Sequence, residues 1–202
     1  MTRQLADDVA RRRAAAVAGH RGDVASARRF LADPAPAVRA TALGALGRAG
    51  SLTGADLAGA LADTSPIVRA RAAELAADLP GDTPPSLVAV LADGNPAVVE
   101  AAAWASGERQ PPEPGIVAAL AAVTTDHDDP LCREAAVAAL GAIDDPAGLP
   151  AILAATRDRP PVRRRAILAL APFDGPDVDA ALEQALGDRD WQVRQAAEDL
   201  LR

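Results

Sequence analysis

Two histidines, one cysteine and several short arginine runs are the residues in this 202-residue chain that bring chemistry to mind. His20 precedes an Arg-Gly loop and His127 stands in Thr-Thr-Asp-His-Asp-Asp, so the two are 107 positions apart. A metal centre needs three or four His, Cys, Asp or Glu side chains converging on one point, and this spacing offers none. His127 with Asp126, Asp128 and Asp129 would hold a cation only weakly. The expected role of that run is a solvated acidic loop capping the next helix. Cys132 falls in register with a series of apolar positions given below, which predicts a buried, inert thiol. No Gly-x-Ser-x-Gly, phosphate loop or Gly-x-Gly-x-x-Gly occurs. We therefore expect no catalytic set, no metal and no cofactor.

The composition narrows the class further. Alanine accounts for 52 residues and aromatics for 2%, and arginine occurs 21 times with no lysine. So few β-branched and aromatic residues exclude an all-β fold, and regularly spaced apolar positions exclude wholesale disorder. Net charge is −7 with a pI near 4.8, which disfavours nucleic-acid binding as the main role. No stretch approaches 18 apolar residues, and the opening residues lack a secretory pattern. With one cysteine and no disulfide to form, the expectation is a cytoplasmic protein that does not enter a membrane.

The elements that carry these residues are repeats. Asp33-Pro-Ala-Pro-Ala-Val-Arg39 returns as Asp63-Thr-Ser-Pro-Ile-Val-Arg69 and as Asp93-Gly-Asn-Pro-Ala-Val-Val99. Later copies are Pro130-Leu-Cys-Arg133, Pro161-Val-Arg163 and Asp188-Arg-Asp-Trp-Gln-Val-Arg194. The valine position runs Val38, Val68, Val98, Cys132, Val162, Val193, with spacings of 30, 30, 34, 30 and 31. Each copy reads as a helix opened by proline, with Asp33, Ser65, Asn95 and Asp129 as candidate caps. A shorter helix is expected before each: Val24–Leu31, Ala55–Leu61, Ser86–Leu91, Gly115–Val123, Ala147–Ala155 and Asp177–Leu186. Gly and Pro mark the joints, as at Gly47–Gly50, Pro80-Gly81, Pro111–Pro114, Asp144–Pro146 and Asp174–Pro176. Residues 3–19 form one more helix, with Val9, Arg13 and Val17 placed 29 residues before Val38, Ala42 and Leu46. The expected domain is single, 1–202: a cap (1–22) and repeats at about 23–50, 51–80, 81–110, 111–144, 145–174 and 175–202.

This pattern resembles the HEAT-repeat α-solenoids, in particular the short bacterial HEAT-like repeats of the phycobilin lyases. The resemblance covers nearly the whole chain and implies an all-α, right-handed α-α superhelix of HEAT/armadillo type. It also implies that the Asp and Arg of successive repeats form a ladder of hydrogen bonds. Mapped here, the members are Asp33, Arg39, Asp63, Arg69, Asp188 and Arg194, with Arg133 and Arg163 keeping the arginine. At the strict aspartate position those two repeats have His127 and Arg157, with Asp128 and Asp158 one step later. The third repeat departs, because Asp93 faces Val99. The deoxyhypusine hydroxylases, HEAT proteins that bind two irons, use repeated His-Glu pairs, and no such pair occurs here. A HEAT-like DNA glycosylase uses an aromatic-lined basic groove, which four aromatics and an acidic balance do not provide.

The remaining chemistry is surface. At 100° per residue, positions zero, four, five and eight after each valine face inward, and positions two, six and ten face outward. In HEAT-like arrays the outer set lines the concave side. Here it includes Glu74, Asp78, Glu100, Trp104, Glu108 and Arg164, with Arg165 beside the last. Trp104 either anchors a partner or folds over the alanine-rich surface. Trp191 is expected to cover the C-terminal end of the core. The function expected is a non-catalytic protein–protein interaction scaffold whose partner presents a basic or apolar patch. The alternatives are a lyase-like accessory subunit holding a ligand or protein substrate in the groove, and nucleic-acid binding through Arg11–Arg13, Arg28-Arg29 and Arg163–Arg165.

Overall fold

A computed structural model describes residues 2–80 and 83–202, so Gly81 of the expected Pro80-Gly81 joint lies outside the described residues. Among the described residues there are twelve α-helices and no strand: α1 (Thr2–His20), α2 (Val24–Arg29), α3 (Pro36–Arg48), α4 (Gly54–Leu61), α5 (Pro66–Leu75), α6 (Pro96–Glu108), α7 (Ile116–Asp126), α8 (Pro130–Ile143), α9 (Leu149–Ala155), α10 (Pro160–Ala169), α11 (Pro176–Leu186) and α12 (Trp191–Leu200). The all-α solenoid class expected from the repeat is the class found. No helix among the described residues is long and apolar enough to cross a membrane. The helices fall into two compact units, Met1–Ser86 and Leu87–Arg202.

Proline opens α3, α5, α6, α8 and α10, at a position whose N–H a helix leaves unpaired in any case. The capping differs in part from expectation. Asn95 and Asp129 accept from the backbone N–H groups of Ala97 and Leu131. Ser65 stands at the cap of α5 but its side chain makes no capping bond. Asp33 lies outside α3, whose cap is Ala35, and accepts the Ala35 N–H at 2.9 Å. Asp63 treats Ser65 in the same way, so the aspartate of each copy fastens the turn before the helix.

The inward stripe is as the periodicity predicts. Val38, Ala42, Leu43 and Leu46 are buried, as are Val98, Ala102, Ala103 and Ser106, and Cys132, Ala136, Val137 and Leu140. Glycines allow the close helix contacts. A Cβ on Gly107 would stand 2.9 Å from the Ala139 Cα, and one on Gly141 would stand 2.7 Å from the Ala169 Cβ. Both occupy the ninth position after the valine site, and each meets the seventh of the next copy.

Three expectations are corrected. Ser86–Leu91 is not an α-helix; only Val90–Ala92 form a single 3-10 turn. Pro84-Pro85 removes two donors and drives the preceding backbone extended, which takes away the first turn on which a helix would build. Leu87 still reaches the core, and its N–H is taken by Glu113 Oε2 at 2.9 Å. Second, the register of α1 is one residue from that expected. Val9 is 66% exposed, while Ala15 and Ala18 are buried. The correct offset from α3 is 28, which aligns Arg11 with Arg39 and Gly19 with Gly47; a Cβ on Gly19 would stand 2.6 Å from the Ala45 Cα. Third, Trp191 does not cover the end of the core but is 64% exposed. It occupies the site that proline holds in the other copies, two residues before Val193 and so about 200° around the helix from the inward face.

Candidate functional site

The Asp and Arg residues form a ladder in each unit. The Arg39 guanidinium donates Nε and Nη2 to the two carboxylate oxygens of Asp63, at 2.8 and 2.7 Å. Its Nη1 turns back to the Asp33 carbonyl oxygen at 2.8 Å. In the second unit Arg133 grips Asp158 at 2.6 and 2.9 Å, and Arg163 grips Asp188 at 2.9 and 2.7 Å. Their Nη1 groups reach the carbonyls of His127 and Asp158. Arg69 and Arg194 bind the carbonyls of Asp63 and Asp188. Arg39, Arg133 and Arg163 thus each tie their own turn and the carboxylate of the following copy, a bidentate geometry that a planar guanidinium suits. The neighbouring guanidinium holds the carboxyls of Asp63, Asp158 and Asp188 below the usual carboxylate range.

Sequence reasoning missed one ladder member. Arg11 donates to Asp33 at 2.8 and 3.2 Å, giving α1 the same grip on the first copy. The third copy departs from the ladder together with the fourth. Val99 replaces the donor and is buried, and the following repeat has His127 where the first, second, third and sixth have aspartate. His127 Nδ1 accepts the Asp129 N–H at 3.0 Å, the turn-fastening bond that an aspartate oxygen makes elsewhere. No group of His, Cys, Asp and Glu among the described residues is arranged to hold a metal. Cys132 is fully buried, its Sγ lies 3.2 Å from the Pro96 carbonyl oxygen, and burial pushes the thiol up to about 11.

The surface candidates divide. Glu100, Trp104 and Glu108, from α6, line one cavity of about 500 Å³ with Leu131, Glu134 and Ala138 of α8 and Arg165 of α10. Trp104 is 50% exposed. The same lining includes the small residues Gly107, Ala139 and Ala142. Among the described residues, Glu100 and Glu108 have no ion-pair partner, whereas Glu134 accepts from Arg165 Nη2 at 3.4 Å. Arg164 is exposed and is not part of the lining; Arg165 is. Glu74 and Asp78 belong to the first unit, where both are exposed and Glu74 pairs with Arg71 at 2.7 Å. Leu131 was not singled out from the sequence, because one position before the valine site carries no distinctive residue type.

Three solved structures serve as points of similarity. An engineered protein shares 20% identity, covering 89% of this chain and 95% of its own, with a TM-score of 0.62. The Escherichia coli protein YibA shares 20%, covering 87% of this chain and 68% of its own, with a TM-score of 0.63. A designed armadillo repeat protein in complex with peptide (KR)4 shares 17%, covering 89% and 81%, with a TM-score of 0.50. At these identities the likeness concerns fold. No curated protein matches the sequence. The sequence model of HEAT repeats matches residues 54–138, 84–164 and 117–202, well over half of the chain. With the helix pairs and the ladder in place, the chain belongs to the HEAT repeats.

Proposed function

We propose that this chain is a non-catalytic interaction scaffold that holds a protein segment in the cavity of its second unit. The segment is basic or carries an apolar plug. One observation carries the reading: Trp104 stands half exposed on the wall of a cavity lined by carboxylates and several alanines. A tryptophan in that setting offers a large apolar face and attracts a cation over its ring. Glu100 and Glu108, which form no ion pair among the described residues, add negative potential that steers a positive segment inward. Glu74 and Asp78 are exposed carboxylates and Arg164 an exposed cation at other outer positions, and in this reading they bias partner choice by charge alone. The designed armadillo protein in complex with peptide (KR)4 supports the reading, since a related solenoid receives such a peptide.

The experiment is a titration of the full chain with a labelled (Lys-Arg)4 peptide carrying one central leucine. Trp104→Ala should weaken binding by about 2 kcal/mol, roughly thirtyfold, with the melting temperature unchanged. If Trp104→Ala instead lowers the melting temperature and leaves binding untouched, Trp104 is packing and the cavity is not the site.

A further inference from the structure

The first unit carries a cleft of opposite charge. Val9, Arg12, Arg13, Ala16 and His20 recur along one face of α1, and Thr41 and Arg48 of α3 close the other side, enclosing about 450 Å³. The close contact of Gly19 with Ala45 brings the two helices together. Arg11 turns away from this face to Asp33 and Asp8, which fixes how α1 is rotated and leaves Arg12 and Arg13 in solvent. The side chains of Arg12, Arg13, His20 and Arg48 make no hydrogen bond or ion pair with any other described residue, and no carboxylate is among the lining residues. The chain's acidic total conceals this. Residues 1–86 hold 11 arginines and 9 acids, net +2; residues 87–202 hold 10 and 19, net −9, which together give −7.

We propose that this cleft is a second docking site, for an acidic protein segment bearing clustered carboxylates or a phosphoryl group. Three unpaired guanidiniums offer bidentate donors to such oxygens at no cost of breaking existing pairs. Val9, 66% exposed in the same wall, receives one apolar side chain of the segment. A nucleic-acid strand fits this cleft less well. Such a strand needs a row of cations along its length, whereas these three guanidiniums are gathered in one cleft with an apolar wall, on a chain of net charge −7. The cleft is separate from the cavity around Trp104, so this site stands or falls independently of the proposed function.

The test uses the full chain and four labelled probes: a peptide of glutamates interrupted by leucine, its phosphoserine counterpart, a glutamine control, and a short single-stranded oligonucleotide. Both acidic peptides should bind saturably at low salt, the phosphorylated one more tightly if phosphoryl groups are the source, and both should weaken at high salt. The pair Arg13→Gln with Arg48→Gln should weaken them about tenfold or more, as should the single exposed change Val9→Asp, with melting temperatures unchanged. The proposal is overturned if neither acidic peptide binds, if the variants bind as well as the native chain, or if the oligonucleotide binds more tightly than both. It is also overturned if light scattering at low salt shows growth in mass with concentration that the arginine variants abolish, because the occupant is then a second copy of this chain.

Discussion

Arg163 does two jobs with one planar group, closing its own turn through the Asp158 carbonyl and holding the Asp188 carboxylate of the next copy. Removing it takes one donor from the Asp158 carbonyl and two from the largely shielded Asp188 carboxylate, which among the described residues keeps only the Asp190 N–H. Arg163→Ala should therefore destabilise by about 1–3 kcal/mol, read as a shift in the urea midpoint. The Asp188 carboxyl that it grips sits below the usual aspartate value, so its contribution is complete above about pH 4 and disappears as pH falls through the depressed value. The stability gap between Arg163→Ala and the native chain should be flat from about pH 5 to 7 and narrow below about pH 4. A midpoint unmoved by the substitution would make Arg163 an ordinary surface charge. The members of the ladder were legible because Asp and Arg recur at fixed spacing. Arg11 was not legible, since no aspartate precedes it at that spacing and only the folded chain brings Asp33 beside it.

At the scale of helices, contact is governed by what is missing from a side chain. Gly141 lies against the Ala169 backbone, so Gly141→Ala forces the two helices apart despite alanine's better helix propensity. A loss of about 1–3 kcal/mol is expected. Gly59, inside α4, has nothing within 4 Å of its would-be Cβ, and Gly59→Ala should gain up to about 1 kcal/mol. Thermal melts that move in opposite directions would establish the close contact; two stabilising changes would refute it. Eleven of the thirteen helices expected from apolar spacing are found near the places predicted, and α1 is found out of register. Its alanine run, Ala14–Ala16 and Ala18, satisfies several registers equally, so hydrophobicity could not choose among them. The helix expected at Ser86–Leu91 failed because tandem prolines outweigh a short apolar pattern.

Within each unit, each copy bonds chiefly to its sequence neighbours, and this makes energies local. Arg39 and Arg163 share no partner and lie in different compact units. The double variant Arg39→Ala with Arg163→Ala should lose the sum of the single losses to within about 0.5 kcal/mol. A larger departure would point to coupling over the full length. The cavity around Trp104 was half legible: outward positions on α6 followed from the helical angle, but the part played by Leu131 depends on how α8 lies against α6. The basic cleft was hidden because net charge was summed over the chain rather than over its units. The ladder also tolerates uneven spacing. Asp188 and Arg194 stand six apart, Asp158 and Arg163 only five, yet Arg163 still reaches the Asp158 carbonyl at 2.8 Å and Arg133 still grips its carboxylate. The copies of Asp33 with Arg39 and of Asp158 with Arg163 each offer one donor forward and one acceptor back, like a coupling with a fixed plug and socket. A copy could then be duplicated or excised between two such couplings without rewriting its neighbours, which gives an array of this kind an easy route to changing length. The junction of Val99 with His127 lacks both fittings, and it is the one described place where such an exchange would demand matched changes on both sides.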